Sequence, residues 1–403
     1  MPLTPLAEAL EIILGTVDAA PHSEQVGLED GLNRYIAQDV DAPCAVPPAD
    51  NSAMDGYAAC SKDLPGLLPV SQRIPAGHPP VALAPGTVAR IFTGAEVPSG
   101  ADVVIPQEEA EVTEAGIRLP PAEVGQHIRP RGDDIQPGDC LVTAGQCLRP
   151  QDVGLLASVG IDSVLVYQPL RVAVFTTGDE LRDPGQGELG PGQIFNSNRF
   201  ALAHQLRALG MEVTENRHLP DDPAQISSAL QSAAKRADCI VTVGGVSVGE
   251  EDYVRGAIEK HGSLSLWRLA IKPGKPLAFG EVCGTPVFGL PGNPVSAWIT
   301  FALVARPWLI RRQGGTLPAV PRFPVQANFS LTRPGTREEF LRVCLIGQGR
   351  GMRAALTGSQ SSGVLTSLGQ ADALAVIPAG TAVEEGDWLE VIPLNALWQP
   401  GYG

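Results

Sequence analysis

Apolar residues Leu6, Leu10, Ile13, Leu14 and Val17 follow Thr4-Pro5 at helical spacing. They predict an amphipathic helix over 4–18, with Thr4 as N-cap and Pro5 as its first residue. Between 45 and 140 the pattern changes to short alternating runs, such as 88–92, 102–105 and 116–119, parted by Gly and Pro. That is the signature of a small β-rich domain. Residues 148–159 read as helical again, so the β-rich part is an insertion. The run RVAVFT (171–176) is continuously apolar from Val172 to Phe175, as in a strand covered on both faces of a parallel sheet. Helical segments at 198–209, 222–236, 250–261 and 294–311 alternate with strand-like 211–215, 239–243 and 286–290. This order predicts βαβ units in a three-layer α/β domain. After residue 320 short strands return at 323–329, 340–346, 373–377 and 388–392.

These patterns divide the chain into four parts. Residues 1–44 with 141–168 form a helical and linker domain, whose 4–18 helix docks on the α/β domain. Residues 45–140 form the β-rich domain, 169–318 the central α/β domain and 319–403 a C-terminal β domain. The fold class is therefore α/β multidomain. A chain of 403 residues exceeds a single ordinary core.

Composition narrows the chemistry. The formal charge of −15 excludes a general nucleic-acid binder, so an anionic ligand needs a local cluster of cations, backbone N–H groups or a bridging metal ion. The apolar stretch 298–310 is interrupted by Arg306-Pro307 and is too short to cross a bilayer, and the first helix carries Glu8 and Glu11, unlike a signal peptide. Seven scattered cysteines, odd in number and never spaced C-x-x-C, point to a reducing compartment, hence the cytoplasm. There is no Walker A or G-x-G-x-x-G motif.

The candidate chemistry sits in loops after the buried strands. TTGDEL (176–181) and GGVSVGEEDYV (244–254) combine glycines with carboxylates at helix or turn starts. Backbone N–H groups at Gly244 and Gly245 suit a phosphate, and Asp179, Glu180 and Asp252 would require a divalent cation between them and it. Helix capping by these carboxylates is the alternative. Lys272-Pro273-Gly274-Lys275-Pro276 holds two ammonium groups where an oxyanion fits, or is a plain surface turn. GLPGNPVS (289–296) presents Asn293 and backbone donors on a rigid turn, with Ser296 in the first helical turn. The β-rich domain carries DNSAMDGYA (50–58), RIFTGA (90–95) and RPRGDDI (129–135); Asx-turns would explain isolated Asp-Asn pairs.

Taken together, DNSAMDGYA, RIFTGAEVPSGADVV (90–104), RPRGDDI, TTGDEL, GGVSVGEEDYV, IKPGKPLAFG (271–280) and GLPGNPVSAW (289–298) resemble the MoeA family of molybdopterin molybdenumtransferases, which includes the C-terminal domain of gephyrin. The motifs span most of the chain in the family's order. QSSG (360–363) is similar to a C-terminal motif, with Ser361 in place of the family's glycine. Arg268 stands where many members carry Lys, which keeps the charge and changes the donor geometry.

The resemblance implies an elongated, four-domain homodimer working with other molybdenum-cofactor biosynthesis proteins. It implies a molybdopterin-binding α/β domain, with an active site completed by the partner's β-rich domain. It further implies Mg²⁺-dependent hydrolysis of adenylated molybdopterin, insertion of molybdate and release of AMP. Carried over by motif, Asp55, Thr93, Asp134, Glu180 and Asp252 form the catalytic set, with Glu180 and Asp252 as magnesium ligands. Arg129, Asp179, Asp221, Gly244, Gly245, Ser247, Lys272, Lys275, Pro291, Asn293, Ser296 and Ser361 fall at substrate-binding positions. The alternatives are adenylation of molybdopterin and a non-catalytic scaffold of the gephyrin type.

Overall fold

The computed structural model describes residues 3–18, 20–245, 253–317, 319–347 and 349–398. Two compact units emerge: Met1–Gln38 with Ala144–Arg149 and Leu165–Gly403, and Asp39–Thr143 with Pro150–Val164.

The first unit is organised by a seven-stranded sheet in the order Leu3–Thr4, Gly262–Leu269, Pro276–Val282, Thr285–Leu290, Cys239–Val243, Arg171–Thr177, Glu212–Leu219. Arg171–Thr177 runs parallel to both of its neighbours, and Cys239–Val243 runs parallel to Thr285–Leu290. The continuous apolar run has a plain cause. Val172 and Val174 point into one core, while Ala173 and Phe175 point into another. The first core takes Leu202 and Leu206 from the Ser197–Ala208 helix and Ala9 and Ile13 from Leu6–Leu14. The second takes Ile226 and Leu230 from Pro223–Ala234 and Val254 and Ile258 from Tyr253–His261. Both faces of the sheet are thus covered by helices.

Two expectations need correction. The sheet is mixed: Pro276–Val282 pairs antiparallel with the expected strand Thr285–Leu290 and with Gly262–Leu269, and neither Pro276–Val282 nor Gly262–Leu269 was part of the predicted alternation. Thr4 is not an N-cap; its carbonyl accepts from Ala270 N (2.8 Å) and its strand pairs with Gly262–Leu269. Pro5 takes the cap position of Leu6–Leu14 with no side-chain cap. The long helix after Asn293 is continuous but contains a π segment, Phe301–Ala305, just before Arg306-Pro307. Proline cannot donate into the helical ladder, which favours such a local shift.

The same unit carries a second sheet from the C-terminal segment. Glu338–Ile346, Arg353–Leu356, Phe323–Ala327, Trp388–Pro393 and Ala373–Ile377 pair in that order, and Ala373–Ile377 pairs back onto Glu338–Ile346. The strands therefore close into a small barrel, which leaves no open edge among them. Ile271–Lys272 adds in parallel to Glu338–Ile346.

The second unit is β-rich. Val70–Ile74, Val88–Ile91, Gly56–Ala59 and Val103–Pro106 form a four-stranded sheet, with Glu111–Thr113, Gly116–Leu119 and Gly66–Leu68 in another. The single α-helix described there is Pro150–Ser158.

Candidate functional site

The strand order reverses at Arg171–Thr177: the chain leaves it for Glu212–Leu219 on one side and returns to Cys239–Val243 on the other. Such a switch point opens a crevice at the carboxyl ends of the strands. A cleft of about 690 Å³ occupies that place, lined by Thr177, Gly178, Glu180, Asp221, Gly244, Gly245, Gly292 and Asn293 among others. A larger groove of about 1010 Å³ lies between helices Pro223–Ala234 and Tyr253–His261. Among the described residues it holds none of the sequence-derived site positions and one carboxylate, Glu259, which is paired with Arg255 (2.9 Å). The smaller cleft, which gathers several of those positions, is the candidate site.

Its turns follow from glycine. Gly178 has φ +140°, and a Cβ there would lie 2.4 Å from Glu180 Oε2. Glycine at 178 thus lets the Glu180 carboxylate fold over the turn. Gly244 has φ +91°, and a Cβ there would come within 2.8 Å of the Thr177 carbonyl oxygen, so the two strand-end turns pack closely. Beneath them Thr177 is 5% exposed, and its hydroxyl has no partner among the described residues. Asp179 and Asp221 lock their loops together: Asp179 N donates to Asp221 Oδ2 (3.1 Å) and Asp221 N donates to Asp179 Oδ1 (3.0 Å). Among the described residues, nothing donates a hydrogen bond to the Glu180 carboxylate.

Several sequence-derived positions fall elsewhere. Lys272 and Lys275 do not line the cleft, and they do not act as one open cationic pair. Lys272 stands opposite Glu339 in the strand register, and its Nζ lies 3.2 Å from both carboxylate oxygens. Pro291 and Ser296 are buried rather than on the cleft wall, because one follows directly on the central strand Thr285–Leu290 and the other lies in the first turn of the helix Pro294–Thr300. Ser361 is off the wall as well, although Gly363 and Leu365 beyond it line the cleft. Ser247 and Asp252 lie outside the described residues.

Arg342 was missed by sequence reasoning. It is 0% exposed and holds the 359–361 segment: its Nη2 donates to the carbonyls of Ser359 (3.3 Å) and Ser361 (3.1 Å), and its Nε to Ser367 Oγ (3.2 Å). Burial lowers its pKa. Gln360 completes the clamp, with Oε1 accepting from Arg342 N (2.8 Å). Only its place within an apolar strand, FLRV, hinted at a buried role. Glu339 was missed likewise.

The β-rich unit has its own cluster, assembled from three distant motifs. Asp55 Oδ1 accepts from Thr93 N (2.8 Å) and Thr93 Oγ1 (2.7 Å). These bonds, with smaller help from Arg90, hold the Asp55 carboxyl below its ordinary range. Arg129 pairs with Asn51 across a two-stranded ladder, and Arg131 N donates to Asp50 Oδ1 (2.7 Å). Asp134 is exposed, its N–H donating to the Val46 carbonyl (3.0 Å). Arg90 and Arg73 stack on Phe92, their guanidinium carbons 4.7 and 4.5 Å from the ring centroid.

Fold and cleft together define a multidomain protein with a doubly wound α/β domain, whose strand-end turns line a cleft, joined to a closed β-barrel and a β-rich module. Residues 4–160 match the MoeA N-terminal region (domain I and II), residues 173–311 a probable molybdopterin binding domain, and residues 324–394 the MoeA C-terminal region (domain IV). The molybdopterin molybdenumtransferase of Haemophilus influenzae is 36% identical over 402 residues, covering 97% of this chain and 99% of the relative. That of Synechococcus elongatus is 36% identical over 390 residues, covering 92% and 94%. A crystal structure of the molybdopterin biosynthesis MoeA protein from Pyrococcus horikoshii OT3 superposes with TM-score 0.84 at 27% identity, covering 97% of this chain and 100% of that one. A second such structure, from Pyrococcus horikosii, gives 0.78 at 34% identity, covering 97% and 99%. The chain belongs to the MoeA family of molybdopterin molybdenumtransferases, a family of transferases.

Proposed function

We propose that this chain takes adenylated molybdopterin and molybdate, hydrolyses the adenylate and inserts molybdenum, releasing AMP and molybdenum cofactor. The observation that carries this reading is the switch-point cleft. It sets the Gly245 and Gly292–Asn293 turns on the same wall as the Glu180 carboxylate, the Gly244 N–H being taken by the Leu290 carbonyl (3.2 Å). Backbone N–H groups suit the phosphates, and a water held against phosphorus needs an anchored acceptor.

A divalent cation, magnesium in our reading, fits this donor set. Glu180 and Asp221 offer hard carboxylate oxygens in one cleft, and no group of three or more His, Cys, Asp or Glu gathers among the described residues. A cation here would share its shell with substrate phosphates and waters, which is the ordinary habit of magnesium. When bound, it would neutralise phosphate charge. Glu180 would hold it, Asp179 would keep Asp221 in place, and the Gly178 turn would fix the carboxylate. Asp252 joins this set as a proposed ligand on its motif alone. Lys272, Lys275 and Ser361 are proposed to serve the molybdate, with Glu339 orienting Lys272.

Asp55, Thr93, Asp134 and Arg129 are proposed to serve the same reaction from the partner subunit of a homodimer in the cytoplasm. Among the described residues no helix is long and apolar enough to cross a membrane. The test is AMP release from adenylated molybdopterin with and without molybdate. Turnover that survives EDTA would remove the metal, and formation of adenylate from molybdopterin and Mg-ATP would reassign the chain to the adenylation step.

A further inference from the structure

The cleft wall is not polar throughout. Ile194 is 54% exposed, Phe195 46% and Leu365 40%, all lining the same cleft as Glu180. Ile194–Phe195 pairs in parallel with Leu181–Arg182 to form a short ribbon. The ribbon is fixed at both ends. Ile194 N donates to the Glu180 carbonyl (2.8 Å), and Asn196 N donates to the Arg182 carbonyl (2.8 Å). Asn196 itself is 1% exposed and donates from Nδ2 to Thr176 Oγ1 (2.7 Å), in the central strand. The backbone under Phe195 is thus tied to the sheet, while its ring is left half open to solvent. Leaving a large apolar side chain in water on a ribbon so fixed is unfavourable unless something covers it. Small-molecule sites commonly pair one such apolar wall with a few placed polar groups.

We propose that Phe195, with Ile194 beside it, is a specificity-determining residue that stacks on a planar heteroaromatic ring of the substrate. This rests on the reading given above, in which the substrate carries two such rings, pterin and adenine. The turns at Gly178 and Gly245 serve the phosphates, and the ribbon serves the ring. The same peptide that positions Glu180 also bonds Ile194, so ring recognition and the carboxylate share one scaffold.

The experiment compares the full-length protein with Phe195→Ala, Phe195→Leu and Phe195→Tyr. Loss of an aromatic stacking partner should raise KM for adenylated molybdopterin about tenfold in Phe195→Ala, with kcat within about twofold. Phe195→Tyr, which keeps the ring face, should match the wild type, and Phe195→Leu should fall between. Calorimetric Kd values for AMP and for molybdopterin then identify the ring, since only the stacked one weakens. KM and both Kd values unchanged in Phe195→Ala would overturn the proposal. A wild-type protein that releases no AMP would instead defeat the transferase reading, and the two Kd values would still decide the role of Phe195.

Discussion

Asp55 and Glu180 are both carboxylates on glycine-flanked turns at strand ends, yet the fold treats them oppositely. Asp55 has one oxygen taken by two donors of Thr93, which holds its pKa low. Glu180 receives no hydrogen bond from any described residue and faces the cleft. A carboxylate whose lone pairs are filled by the fold acts first as a strut for its loop. One left open is available to a cation or a water. Asp238, clamped by Arg171, and Arg342, clamped by carbonyls, are further charged groups satisfied by the fold.

The contrast can be broken at its open end first. Glu180→Gln keeps shape and removes charge, so AMP release should fall about a hundredfold with the melting temperature unchanged. A comparable loss of stability would show that Glu180 is structural after all. At the satisfied end, Arg342→Met takes the guanidinium from the Ser359 and Ser361 carbonyls and from Ser367 Oγ, which keeps its bond to the Val364 carbonyl (2.7 Å). Urea denaturation should show a loss of about 3 kcal/mol, and a variant as stable as wild type would remove the clamp.

Asp238→Asn should cost less, about 1 kcal/mol, because Arg171 is half exposed and screened by water. Burial pushes the Asp238 pKa up, but the Arg171 bonds and charge more than offset this and lower it. A folded-state pKa below the unfolded value gives stability that is present above the unfolded pKa and lost as pH falls through the folded one. The variant and wild type should therefore converge in strongly acidic solution, and a gap that persists there would count against the ion pair. The smallest effect belongs to Thr93→Val. It removes one of the two donors, so the Asp55 pKa, followed by carboxyl NMR, should rise toward its ordinary range. A pKa that stays put would show that the Thr93 backbone N–H alone sets it.

Much of the α/β core was legible because its signal is local. In RVAVFT each successive side chain enters a different core, so burial on both faces had to appear as an unbroken apolar run. Gly262–Leu269 and Pro276–Val282 escaped notice because the connection between them, 270–275, reads as an anion loop rather than a strand connection. The Thr4 cap failed for a similar reason: strand pairing took the carbonyl of a residue whose neighbours describe only a helix start.

The site divides in the same way. Sequence alone determined the glycine turns and their carboxylates, because a chain that must turn sharply at a strand end has few residues that allow it. It also determined the family, whose motifs recur in order. Only the tertiary structure decided which charges remain open. Glu339 meets Lys272 across 67 residues, Thr93 meets Asp55 across 38, and Ser361 is held by Arg342. A hydrogen bond depends on ångström distances between segments that no local spacing records, so the pairing of charges waits for the fold.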